Sequence, residues 1–382
     1  VLEDRVDLTH LPLPTIDPED ARDHDDAVWV ERTDDGGYVA WIAIADVSTY
    51  VRPGTRIDDE AKQRGTSIYL PDRAIPMLPR ALSSNLCSLL PDELRLCLCV
   101  EVHLDAAGRP TESRIHRGFM KSRAKLHYGG VARALGLTAE GPRQEAAEAM
   151  REDLQIAFEL SRLLRSRRLK RGALDFDLPD AKVVLDEKGN VVDVAKRSQD
   201  PGVKKAYQLI EELMLLANET VATWLVGRNL PAIFRIHEAP DEAKLERLAA
   251  FSEQAGMPFD IDEAKDPKAL ARVLKGWVDH PAASVFHMLL LRSMKQASYD
   301  VVNLGHFGLA SKAYLHFTSP IRRYPDLVVH RVVHAALLGE RVPRRDKDDE
   351  ALRDAALASS TAERRAMEVE RAVVDLHRAI LM

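Results

Sequence analysis

Cysteine is scarce, with three in 382 residues (Cys87, Cys97 and Cys99) and no C-x-x-C pair. An odd count without paired spacing excludes a disulfide framework or zinc knuckle and favours a reducing, cytoplasmic setting. Aromatic residues make up only 5% of the chain. No apolar run approaches the roughly 18–20 residues of a membrane-spanning helix, and no signal peptide is visible, so no membrane partner is expected. A basic surplus is missing too, since 54 Lys and Arg face 60 Asp and Glu for a formal net charge of −6. The overall charge therefore lacks a nucleic-acid binder's footprint, although such a balance leaves room for a local basic stripe. The chain opens on Val1 rather than Met, which suggests a trimmed piece of a longer protein.

Apolar residues at 46% and charged residues at 30% are ordinary globular values, sufficient for a sizeable core. Residues 27–50 alternate as strands ("AVWVE", "YVAWIAIADV") around the turn signal "DDGG". "SIYLP" and "LRLCLCVEVHL" read as further strands, and prolines at 71, 76, 79 and 91 exclude a helix there. From about Glu140 the period becomes helical, and "RQEAAEAMREDLQIAFELSRLLRSRRLKRG" reads as one helix capped by Gly172. A hairpin turning at "EKGN" follows, and then helices dominate to Met382. Strands first and helices later predict an α+β fold, a β-sheet core from the N-terminal half surrounded by helices mostly from the C-terminal half. With no fixed-period repeat or long linker, residues 1–382 are expected to form one large domain.

Two stretches resist a purely structural reading. In "TIDPEDARDHDDA", Asp17, Asp23, Asp25 and Asp26 fall within ten residues, just ahead of the most apolar segment. Crowded carboxylates raise one another's proton affinity unless a cation compensates. A hard divalent ion resolves this, because Mg²⁺ takes one or two carboxylates with phosphate and water completing its shell. The stretch lacks the glycine of an EF-hand loop, and the plain alternative is a solvated acidic turn. In "HFTSPIRRYPDLVVHR", Pro320 and Pro325 bracket Arg322 and Arg323 ahead of a helix. Arginine forks suit phosphate oxygens, and the plain alternative is pairing with surface acids. Together, carboxylate-held metal and a positioned arginine suit phosphodiester hydrolysis.

With "AIADVSTYVRPG", "RGTSIYLPDRAIPMLPRALSSNLCSL" and "LLRSMKQASYD" in the same order, the chain resembles the ribonuclease II and ribonuclease R family in its RNB catalytic domain, and the ribonuclease R branch more closely. The resemblance implies a processive, Mg²⁺-dependent 3′-to-5′ exoribonuclease that releases nucleoside 5′-monophosphates from single-stranded RNA. It implies that Asp17 and Asp26 ligate Mg²⁺ directly, with Asp23 and Asp25 serving a second ion or the attacking water. Arg322 matches the arginine at the scissile phosphate, with Arg323 beside it on the RNA. Tyr69 matches an aromatic stacking at the 3′ end, Tyr128 and Phe176 the aromatics bounding the stacked bases, and Glu211 an acid that hydrogen-bonds RNA. Mn²⁺ is an alternative metal. No organic cofactor is implied, a monomer is expected, and the family's flanking cold-shock and S1 modules are not visible in residues 1–382.

Base stacking and a charged phosphate track together bind single strands without sequence preference. "RLLRSRRLKRG" offers such a track in Arg162, Arg165, Arg167, Arg168, Lys170 and Arg171, or else a solvated helix end. Two rival functions remain, a catalytically silent RNA-binding scaffold of the same fold and a metal-dependent phosphatase acting on small substrates.

Overall fold

The structure, a computed structural model, describes residues 2–175, 181–186, 191–196, 200–277, 280–340, 342 and 350–381. Phe176 and the "EKGN" turn at 187–190 lie outside the described residues. In chain order the first elements are β1 (Val6–Asp7), β2 (Thr15–Asp17), β3 (Asp26–Arg32), β4 (Tyr38–Ala45) and α1 (Arg56–Arg64). Next come β5 (Ile68–Tyr69), β6 (Ala74–Ile75), β7 (Leu94–Leu104), β8 (Pro110–Lys121) and β9 (Lys125–His127). Helices α2 (Tyr128–Ala134), α3 (Glu145–Ala149) and α4 (Arg151–Arg171) lead to the hairpin β10 (Ala181–Leu185) and β11 (Val191–Lys196). The remainder is α5 (Pro201–Gly227), β12 (Phe234–Ile236), α6 (Glu242–Gln254), α7 (Pro267–Trp277), α8 (Ala283–Ser293), β13 (Ser298–Asp300), α9 (Tyr324–Leu337) and α10 (Glu350–Leu381).

The main sheet has the order β1-β8-β7-β4-β3, antiparallel except for the parallel β1–β8 edge. Both faces of its central strands are covered, which explains why "YVAWIAIA" and "LRLCLCVEV" are almost continuously apolar. Alternate residues point to opposite faces of a strand. Tyr38, Ala40, Ile42 and Ile44 thus join one core with Leu209, Leu213 and Leu216 of α5. Ala43, Ala45, Cys97 and Cys99 join another with Leu327 of α9 and Ala355 and Ala356 of α10. Each large aliphatic side chain buried there contributes about 1.5–3 kcal/mol relative to exposure. A third, smaller core ties α6, α7 and α8 through Leu245, Leu270, Trp277 and Phe286.

This is the α+β arrangement expected, with one refinement. The helix predicted from Arg143 to Gly172 is broken at Met150, which leaves helical geometry at φ −100° and ψ 17°. Gly172 does end α4, at φ +110°, and a Cβ there would lie 2.6 Å from the Lys268 Cα. Glycine is required on both counts. Helix α5 starts where Asp200 accepts the N–H groups of Gly202 and Val203 and Pro201 occupies the first turn, a cap worth about 1 kcal/mol. Among the described residues no helix is long and apolar enough to cross a membrane. All three cysteines are buried and free.

Candidate active site

The acidic stretch is the connection from β2 into β3. Strand β2 runs parallel to β9 with Asp17 opposite His127, and β3 begins at Asp26, opposite Ile44 of β4. Val28 N–H donates to the Pro14 carbonyl and Ala45 N–H to the Asp25 carbonyl, so both ends of the loop are held by the sheet. The aspartates therefore project from fixed backbone at the sheet margin.

The arginine stretch arrives at the same place. Asp25 is buried, and its Oδ1 accepts the N–H of Ile321 at 2.9 Å across 296 positions of chain. The Arg322 Nε lies 3.9 Å from the other Asp25 oxygen, and Arg322 Nη2 donates to Ser319 Oγ at 3.2 Å. With its side chain 42% exposed, Arg322 keeps most of its fork open. The loop's backbone is fixed by residues 65–67: Ser67 N–H and Thr66 Oγ1 donate to the Arg322 carbonyl, and Tyr324 N–H to that of Gly65. Two residues further along, Tyr69 is 43% exposed and its hydroxyl donates to Asp23 at 3.1 Å.

Burial drives the Asp25 carboxyl well above the usual carboxylate range, against Arg322 and the Ile321 N–H, which favour its charged form. Burial and then the neighbouring Asp17 push Asp26 up to about 8, with Arg322 and Arg323 opposing. Among the described residues no group of three or more His, Cys, Asp or Glu is gathered into a metal cage. What the site offers is a carboxylate pair, Asp17 and Asp26, poorly compensated and partly open. That donor set fits a hard divalent ion that draws the rest of its shell from water and phosphate, and does not fit an all-protein cage.

Tyr128 opens α2, where the His127 Nδ1 caps the helix by accepting the Gly130 N–H. Burial, then Asp26 and Asp17, raise its phenol. Its ring stacks on Tyr207 of α5, with centroids 3.7 Å apart and planes at 22°. Glu211, one turn further along α5, is half exposed and takes Arg168 Nη2 at 3.2 Å. Arg168 itself is clamped by the buried Glu212.

Two basic stretches carry more internal pairing than the sequence suggests. Arg323 was expected on the RNA beside Arg322, but its Nε and Nη2 bind both oxygens of Asp326 at 2.9 and 2.7 Å. Asp326 is fully buried and also takes the Ser319 N–H at 2.8 Å. Arg323 thus braces the loop through two of its guanidinium nitrogens, with only 16% of its side chain exposed. Half of the basic track is likewise paired: Arg165 with Asp175, Arg168 with Glu212 and Arg171 with Glu219. Phe176 lies outside the described residues.

Sequence reasoning missed three residues. His24 sits inside the acidic motif and reaches Asp17. Tyr207 lies one helical turn before Glu211. Glu370 of α10 accepts the Tyr69 N–H at 2.9 Å, a contact across 301 positions with no sequence signature.

The fold and this constellation define an RNB domain: the family model of that name matches residues 5–339, and the chain belongs to that family. Among curated relatives, ribonuclease R of Thermotoga maritima is 44% identical over 331 residues, covering 86% of this chain and 46% of the relative. Ribonuclease R of Escherichia coli is 39% identical over 379 residues, covering 97% and 46%. The chain therefore spans about half the length of the curated relatives it matches. A solved structure of Mycoplasma genitalium RNase R in complex with ribose methylated single-stranded RNA superposes with a TM-score of 0.90 at 33% identity, covering 99% of this chain and 58% of that one.

Proposed function

We propose that the chain is a metal-dependent exoribonuclease that hydrolyses single-stranded RNA processively from its 3′ end and releases nucleoside 5′-monophosphates. One observation carries the reading: the Asp25–Ile321 hydrogen bond seats the arginine loop against the aspartate loop, so that Arg322 faces the carboxylates. The relatives named ribonuclease R and the RNA-bound neighbour support RNA as the substrate.

Asp17 and Asp26 are the residues that would hold Mg²⁺, with Mn²⁺ as an equivalent oxygen-seeking ion. The ion, when bound, supplies a water of lowered pKa and electrostatic support for the phosphate oxygens. Asp25, buried and tied to Ile321, accepts the proton of the attacking water or orients it. The open Arg322 fork binds the scissile phosphate and neutralises charge that grows on it. Tyr69, standing on Asp23, gives the terminal base a ring to stack on. Tyr128, backed by Tyr207, bounds the stacked bases, and Glu211 lies on the same α5 surface. Stacking of this kind is worth about 1–3 kcal/mol per base and tolerates any sequence.

The test is incubation of the chain with 5′-labelled single-stranded RNA and Mg²⁺, with an EDTA control. Conversion of the full-length band to short labelled products, abolished by EDTA, is the expected result. An intact band would indicate a silent scaffold, and label lost as free phosphate a phosphatase.

A further inference from the structure

His24 is a buried imidazole within the acidic loop that the mechanism above does not use. Its side chain is 1% exposed, and its Nδ1 lies 2.6 Å from Oδ2 of Asp17. A carboxylate only accepts, so this contact assigns the proton to Nδ1. The backbone that carries the ring is pinned. His24 N–H donates to Ser88 Oγ at 3.0 Å, and the His24 carbonyl accepts the Leu89 N–H at 3.0 Å. Ser88 is itself fully buried, donates its hydroxyl to the Arg22 carbonyl at 3.2 Å, and offers its own carbonyl to Arg95 Nε at 2.9 Å. The loop on either side of His24 is therefore stapled to residues 88–89, and the imidazole presents a fixed donor.

Strand pairing with β9 fixes the backbone of Asp17, but pairing does not set the rotation of its carboxylate. The His24 N–H engages one of the two carboxylate oxygens and leaves the other to a further partner. We propose that His24 is a positioning residue for Asp17, fixing the carboxylate in the orientation that receives the divalent ion. The inference rests on the metal reading given above. Hydrogen bonds to ligating groups orient them, and losing one typically weakens metal binding by about 10–100-fold.

The test measures Mn²⁺ binding to the whole chain by electron paramagnetic resonance, without RNA, alongside the melting temperature without metal. His24→Phe keeps a ring and removes the donor. His24→Asn places an amide N–H near the Nδ1 position, and His24→Gln places one near Nε2, away from Asp17. The expected result is that Phe and Gln weaken Mn²⁺ binding by about 10–100-fold, while Asn recovers most of the loss. Wild-type affinity in the Phe variant would overturn the proposal. So would equal affinities for Asn and Gln, a comparison that remains decisive should the Phe variant fail to fold. Failure of the unaltered chain to bind Mn²⁺ would instead remove the metal reading itself.

Discussion

Two loops meet at the sheet margin, and they handle charge in opposite ways. The arginine loop, residues 318–326, closes on itself: Arg323 and the Ser319 N–H satisfy a fully buried Asp326, and Pro325 sits in the first turn of α9. The aspartate loop, residues 17–26, keeps an excess of negative charge, with Asp25 and Asp26 both held above their ordinary carboxylate range, chiefly by burial and then by neighbouring aspartates. A loop whose charges are paired within it can serve as a rigid support. One that keeps an excess of carboxylates suits a cation. Arg322 lies where the two meet, anchored by one and facing the other.

The contrast can be broken first at Asp25. Asp25→Asn keeps the Ile321 hydrogen bond but removes the charge, so hydrolysis should fall by about 10²–10⁴-fold, with RNA binding kept in a filter-binding assay. Turnover above about a tenth of the unaltered value, well outside that range, would show that the charge is not used. On the supporting side, Asp326→Asn leaves Arg323 buried without its counter-charge. A loss of about 3–5 kcal/mol in denaturant unfolding is expected, and a change under 1 kcal/mol would mean that the loop does not depend on the pair.

Smaller effects sharpen the same division. Tyr69 is too exposed to be a core residue, so Tyr69→Ala should leave the melting temperature nearly unchanged. It should lengthen or shorten the final undegraded fragment, because a stacking loss of about 1–3 kcal/mol matters most when few contacts remain. An unaltered product ladder would remove Tyr69 from the site. The smallest effect concerns Asp46, a buried acid that takes no part in the proposed chemistry. Burial raises its pKa, but Arg5, Ser48 and Thr49 outweigh that and hold it below 3.8. Its contribution to stability is therefore complete above the unfolded value and fades as pH falls through the lower folded one. Melting temperature should decline below about pH 4, and the decline should be shallower in Asp46→Asn.

Much of this division was legible in the sequence. Strand β7 runs from Leu94 to Leu104 as the apolar run predicts, and the two unusual motifs lie together. Local patterns carried those readings. Pairings made across the fold were not readable. Arg323 looks identical to Arg322 in "SPIRRYP", and only the buried Asp326 three residues on distinguishes them. The arginines of α4 read as a track because their acids lie at 175, 212 and 219, beyond the reach of any local pattern. Helix α4 was read too long because helical periodicity persists through Met150 although the backbone does not. His24 was visible in "RDHDDA", but its role depends on Ser88 and Asp17 being brought to either side of it.

The adjacent arginines are expected to divide the work, Arg322 for chemistry and Arg323 for the fold. The most direct test is to make Arg322→Lys and Arg323→Lys and to measure RNA turnover and melting temperature for both. Lysine keeps the charge and loses the planar fork. Arg322→Lys should lose most of its turnover with an unchanged melting temperature. Arg323→Lys should lose about 1–3 kcal/mol of stability and retain turnover at temperatures where it is folded. Equal, mild effects at both positions, or the reverse pattern, would contradict the account.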